Sequence, residues 1–211
     1  LPGKWSWCGL QTSWKALWDE KYKGRIYMLD NMLAAYIAGL QVNGFKANTS
    51  DPDEISKATD TLIKQKPLLA GYNSNNFPDL VSSGEACIVE AWSGNVLQVI
   101  EQNPKVHYVI PDEGGTMWVD GFAIAKGAKN VDAAYKFLNY ILQPEVAAKV
   151  GELTKTASAN GKAKALLPAE LANNAAIFPP EDKLSKADFI LDVGDAMKYY
   201  QDGWTKVKAT E

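Results

Sequence analysis

The chain has 211 residues, 46% apolar and 22% charged, a balance that excludes a disordered chain, a collagen-like repeat and a disulfide-dense scaffold. That length makes one large domain or two small ones and needs no metal or disulfide staple. A formal net charge of −3 argues against a general nucleic-acid binder, and no run reaches the 18 apolar residues of a membrane span. Seven Trp are the compositional oddity, and rings that are both apolar and polar-tipped suit recognition of carbohydrates, cations or partners as well as core packing.

Leu1-Pro2-Gly3-Lys4-Trp5 has no initiator Met, basic n-region or apolar h-region, so the chain is expected to begin partway through a gene product. Trp14 and Trp18 stand four apart, the spacing of one helix face, and are expected in the core. After the turn Tyr22-Lys23-Gly24, residues 25–29 predict a short strand. Met32, Ala35, Tyr36, Ile37 and Leu40 predict a helix over 32–40 that stops toward Asn43-Gly44. Asp51-Pro52-Asp53-Glu54 combines a capping Asp, Pro at the first helical position and Glu three residues after the cap. The helix it starts carries Ile55, Ala58, Leu62 and Ile63 on one side and stops at Pro67.

A second strand is predicted over 86–92. It holds Cys87, read as a buried free thiol, since Cys8 and Cys87 permit a disulfide without requiring one. Residues 104–115 are the boundary candidate, and 118–125 predict a third strand after Gly114-Gly115. Asn130 is expected to cap a helix with Ala133, Ala134, Phe137, Leu138 and Ile141 inward, Pro144 begins another, and the last third reads as helical, broken at Phe178-Pro179-Pro180. Short apolar strands alternating with helices indicate an α/β fold.

Enzyme chemistry finds little support. His107, the sole histidine, is read as structural between Val106 and Tyr108, and no nucleophile elbow, phosphate loop, dinucleotide fingerprint or zinc motif occurs. Asp112-Glu113 lies in a Gly-rich stretch with no identifiable partner and reads as a solvated turn. Two segments carry more. In a strand, Trp118 and Asp120 share a face, and an aromatic ring beside a carboxylate suits an ammonium group through its quadrupole and through charged hydrogen bonds. Glu90 and Trp92 share a face by the same rule, ahead of the small-residue stretch Ser93-Gly94-Asn95 that lets a ligand approach the backbone. A carboxylate inside an apolar strand either reaches water or meets a cation, which puts Glu90 at a cleft or an edge.

These segments, in this order, resemble the periplasmic polyamine (spermidine/putrescine)-binding proteins of bacterial ABC importers. The matching stretches begin with Thr12-Ser13-Trp14-Lys15-Ala16-Leu17-Trp18, Met28-Leu29-Asp30-Asn31 and Asn48-Thr49-Ser50-Asp51-Pro52. They continue through Gly84-Glu85-Ala86-Cys87, Trp92-Ser93-Gly94, Val109-Ile110-Pro111-Asp112-Glu113-Gly114, Trp118-Val119-Asp120 and the terminal Trp204-Thr205-Lys206-Val207-Lys208. The resemblance implies a periplasmic-binding-protein type II-like α/β fold with one complete lobe and part of the other. Residues 1–116 and 156–211 would form the second lobe, and 117–155 would cross back into a first lobe whose amino-terminal part is absent.

The resemblance further implies a substrate-binding component, not an enzyme, that takes a small organic cation in an aromatic and carboxylate box. Trp92, Trp118 and Asp120 fall on the family's box positions, and Asn95 falls where some members place a polar contact. The family's polyamine-reading acids fall on Asn31 and Ala34, and one of its aromatics falls on Thr156, so one end of a diammonium chain loses its counter-charge. Glu90 and Asp30 are the candidate replacement acids. No cofactor is implied. The expected partners are a small-molecule amine and an ABC permease, with no nucleic acid, and with pairing to another chain as a further option because the first lobe is incomplete. The expected location is periplasmic, or extracellular and membrane-anchored in a Gram-positive source. The alternative is a binding protein of the same fold for another amino compound or for ferric ion, the latter raised by Tyr199-Tyr200, although adjacent helical residues point about 100° apart.

Overall fold

A computed structural model describes residues 8–210; Trp5 and Trp7 lie outside the described residues. Punctuation residues set the element boundaries. Ser13 caps a 3-10 turn over Trp14–Trp18 by accepting the Lys15 amide, and β1 (Ile26–Met28) follows the positive-φ Gly24. Asn31 starts α1 (Met32–Gln41) by accepting the Ala34 amide at 3.0 Å. Asp51 starts α2 (Pro52–Gln65) by accepting from Asp53 at 2.8 Å and Glu54 at 3.4 Å, with Pro52 at the first helical position as its fixed φ allows.

The chain continues through β2 (Leu69–Tyr72), α3 (Phe77–Ser82), β3 (Ile88–Val89), α4 (Ser93–Gln102) and β4 (Thr116–Met117). Then come α5 (Val131–Ile141), α6 (Pro144–Thr154), the short α7 (Ala169–Ala172) and α8 (Glu181–Leu184), β5 (Asp188–Phe189) and α9 (Met197–Ala209). Strands β2, β1 and β3 form a parallel sheet in that order, pairing Met28 with Tyr72 and Tyr27 with Val89, while β4 and β5 pair in parallel as a separate two-stranded ribbon.

The main core joins β1, α1, α2 and α9 through Ile26, Met28, Tyr36, Ile55, Leu62, Tyr200 and Val207. A second cluster under the other end of the sheet joins Leu29, Ala34, Phe77, Val96 and Val106, and a third packs Leu97 of α4 against Leu171 and Ile177. Tyr36 and Tyr200 meet edge to face at 4.8 Å, locking α9 onto α1.

Several sequence expectations need correction. Cys8 and Cys87 form a disulfide, not a buried free thiol at 87, and thereby fasten the start of the described chain beside β3. The predicted strand over 118–125 does not form. Regular pairing stops at Met117, because β5 offers β4 a ladder of two residues and nothing among the described residues extends it. The strand over 86–92 shrinks to β3, although ladder bonds from the Cys87 amide to the Arg25 carbonyl and from the Glu90 amide to the Tyr27 carbonyl flank it.

Strand β2 is not among the predicted strands: Pro67, read only as a helix stop, lies just before it, and Gly71 interrupts its apolar run. Asn130 flanks α5 without a side-chain cap bond, and α5 buries none of its residues: Phe137 is 54% exposed and Phe122, which meets it edge to face, 72%. After α6 the described chain is mostly short helices and turns until the long α9. Trp14 and Trp18 are only partly buried, and their indole N–H groups are held by Gln41 and Gly114 and by the Thr61 carbonyl.

The 104–115 segment is tied down at its end. Glu113 accepts from the Ser13 hydroxyl and, at 3.2 Å, from the Trp14 amide, while Asp112 pairs with Lys183 at 2.7 Å. Lys183 holds the Asp112 carboxyl below the usual range. The acidic pair is thus an anchor for the first turn, not a free solvated turn.

Candidate functional site

The sheet order positions a cleft. From β1 the chain moves out to β2 on one side and returns to β3 on the other, so the order switches between β1 and β3. Parallel α/β sheets leave a crevice at the carboxyl ends of the strands at such a switch. There the Glu90 carboxylate, one residue past β3, accepts the amide of Leu29, one residue past β1, at 3.1 Å. The cavity over this point has a volume of about 1250 Å³, and its wall includes Leu29, Glu90, Trp92, Tyr108, Trp118 and Asp120.

Trp92 and Trp118 meet edge to face with ring centroids 5.2 Å apart, the geometry in which the positive edge of one ring faces the negative face of the other. Trp92 is half-buried in the cluster around Leu29 and Val96, and Trp118 is 38% exposed. Asp120 is exposed on the cavity rim. Irregular backbone, not the strand pleat that the sequence predicts, brings Trp118 and Asp120 to the same cavity.

Glu90 is 7% exposed, and burial pushes its carboxyl up to about 8 against the opposing pull of the Leu29 amide, which favours the anion. Tyr108 hydrogen-bonds Ser93 through its side chain, and burial holds its phenol above the ordinary value with Glu90 adding to the effect. Sequence reasoning passed over Tyr108. The alternation Val106-x-Tyr108-x-Ile110 was its available signal, but it was read as flanking a structural histidine. His107 is in fact exposed, on an irregular segment that lines the cavity.

Two sequence-predicted residues stand apart from this wall. Asn95 is exposed on α4, and Asp30 turns away to form a 2.8 Å ion pair with Lys208. The Lys208 ammonium also lies 4.7 Å from the Tyr72 ring and 5.5 Å from the Trp204 ring, so this carboxylate already has a cation. Asn31 is occupied as the cap of α1, and Ala34 contributes apolar wall. Gly94 accommodates the chain itself: a Cβ there would meet the Thr154 carbonyl at 2.8 Å, while Thr156 lines the cavity and shares a hydroxyl hydrogen bond with Thr154. Tyr200 is buried and donates to the Thr49 carbonyl at 2.8 Å whereas Tyr199 is 39% exposed, so the adjacent phenols do not converge. Among the described residues no cluster of His, Cys, Asp and Glu has metal-holding geometry.

The profile of the bacterial extracellular solute-binding protein family matches residues 11–179. The spermidine/putrescine-binding periplasmic protein of Salmonella typhimurium is 34% identical over 198 residues, covering 94% of this chain and 57% of that protein. The putrescine-binding periplasmic protein PotF of Escherichia coli is 35% identical over 200 residues, covering 90% and 54%. The solved structure of the spermidine/putrescine ABC transporter substrate-binding protein PotD of Streptococcus pneumoniae superposes with a TM-score of 0.82 at 27% identity, covering 95% of this chain and 62% of that one. The chain therefore spans a little over half the length of the curated relatives it matches. With the family profile matching most of its length and the fold shared with PotD, the chain belongs to the bacterial extracellular solute-binding proteins.

Proposed function

We propose that this chain is the ligand-binding part of an ABC importer's substrate-binding component, that it takes a small organic cation, and that it performs no turnover. The observation that carries this reading is the Trp92–Trp118 pair, 5.2 Å between centroids, on one cavity wall with the carboxyl groups of Glu90 and Asp120. An indole face attracts an ammonium group, and the acids accept its hydrogen bonds. The Salmonella and Escherichia coli relatives, a spermidine/putrescine-binding and a putrescine-binding protein, support the same ligand chemistry.

The ligand is an amine with one strongly recognised cationic end. Asn31 caps a helix, Ala34 is apolar and Asp30 is committed to Lys208, so the counter-charges a diamine needs at both ends are not gathered here. Calorimetric titration tests both points. A monoamine is expected to bind, and Trp92→Ala or Trp118→Ala to weaken it about tenfold, the worth of a partly desolvated cation–π contact. Affinity unchanged in both variants overturns the location, and micromolar or tighter binding of putrescine and spermidine overturns the loss of polyamine selectivity.

A permease partner and a periplasmic or extracellular location follow from the same reading, and the Cys8–Cys87 disulfide supports an oxidising compartment. The division into one lobe of 1–116 and 156–211 with a crossing segment at 117–155 is supported by the exposure of Val119, Phe122 and Phe137 beside a chain whose main core lies elsewhere. We infer that this apolar stripe, left exposed among the described residues, pairs with a second copy of the chain. Light scattering is expected to read a mass above the monomer as concentration rises, and a strictly monomeric mass overturns the pairing.

A further inference from the structure

Glu90 has an arrangement that a purely structural acid does not need. Among the described residues, the hydrogen bond from the Leu29 amide is the only one its carboxyl group makes, and no Lys, Arg or His pairs with it. It is nevertheless part of the wall of a roughly 1250 Å³ cavity, at the strand-order switch and two residues from Trp92. A buried acid without a cation is stable only while it keeps its proton.

The groups that face it from the packed elements reinforce this. Tyr72 on β2 and Tyr108 on the segment after α4 both sense its charge, and the buried Tyr72 hydroxyl has no hydrogen-bond partner among the described residues. Asp30, which also acts on Tyr72, adds negative charge and is itself held by Lys208. The basic residues on the cavity wall are Lys105, His107, Lys164 and Lys183, of which Lys183 is bound to Asp112 and Lys164 lies 4.2 Å from the Phe178 ring centroid.

Resting on the organic-cation reading above, we propose that Glu90 is the cavity's specificity-determining acid and that it exchanges its proton for the ligand's ammonium group. In the empty cavity the carboxylic acid is neutral. When a protonated amine seats against Trp92, the O–H bond of Glu90 breaks, the proton passes to solvent, and the carboxylate left behind accepts the ammonium N–H groups. Charge balances at each stage, because one positive charge enters as one leaves. The site is thereby selective for cations over neutral isosteres, and its affinity is linked to pH.

The test is calorimetry with n-butylamine, which keeps its ammonium group over about pH 6 to 9, and with 1-butanol as the neutral isostere, in two buffers of different ionisation enthalpy. The amine is expected to bind in preference to the alcohol and to release up to about one proton per ligand, with affinity rising toward tenfold per pH unit on the acid side of Glu90's titration. Glu90→Gln, which retains an acceptor for the Leu29 amide, is expected to lose the proton release and the pH dependence together. Preference for the amine with no proton release, or with release unchanged in Glu90→Gln, overturns this proposal and leaves the cation reading standing. Equal binding of amine and alcohol, or binding of neither, overturns both.

Discussion

Gly203 and Glu90 show two ways in which single positions are constrained. A methyl group at 203 would collide with the Tyr36 hydroxyl and Thr59 Oγ1, which are hydrogen-bonded to each other at 2.6 Å while Thr59 donates to the Ile55 carbonyl at 2.9 Å. Gly203→Ala is therefore expected to cost about 2 kcal/mol through overpacking and a disturbed buried network, despite the better helix propensity of Ala. A urea unfolding midpoint equal to that of the parent sinks that expectation. The unusual placement of Glu90 was legible because an acid in an apolar strand is costly, although the structure gives it neither open water nor a cation but a nearly buried place on the cavity wall. Its bond to the Leu29 amide was not legible, since the register between β1 and β3 is set by tertiary packing. Asn31 shows the reverse: the same side chain that fails to supply a ligand charge is the cap of α1.

Elements whose ends are written in local chemistry were the ones the sequence revealed. Asp51 and Pro52 mark α2 at its first turn, and Pro144 marks α6 without a capping side chain before it. Asp51→Ala removes the acceptor for the Asp53 and Glu54 amides and is expected to destabilise by about 1 kcal/mol. Thermal unfolding reads this directly, and a change indistinguishable from zero contradicts it. The strands were harder. β3, β4 and β5 have two residues each, too few for a periodicity, and they exist because a partner lies alongside. Among the described residues, the stretch after Met117 has the apolar composition of a strand but no pairing strand, and α5 keeps its apolar residues largely exposed. Pattern tells which face of an element seeks burial; only the assembled chain tells whether anything meets it.

At the scale of the molecule, one covalent link spans a long stretch of chain. Cys8 and Cys87 are 79 positions apart, so the disulfide closes a large loop and restricts the unfolded chain accordingly, by about 4 kcal/mol in the loop-entropy description. The paired variant Cys8→Ser with Cys87→Ser is expected to lose stability of that order in denaturant titrations without reductant. The same titration of the parent with and without reductant checks the result independently, and a loss below about 1 kcal/mol in both contradicts it. Cys87 also directly precedes β3, one of the two outer strands of the three-stranded sheet. Exposed strand edges recruit other chains in non-native pairings. The disulfide holds the start of the described chain next to β3, and because its reduction frees that strand end, the reduced protein is expected to lose solubility before it loses its fold.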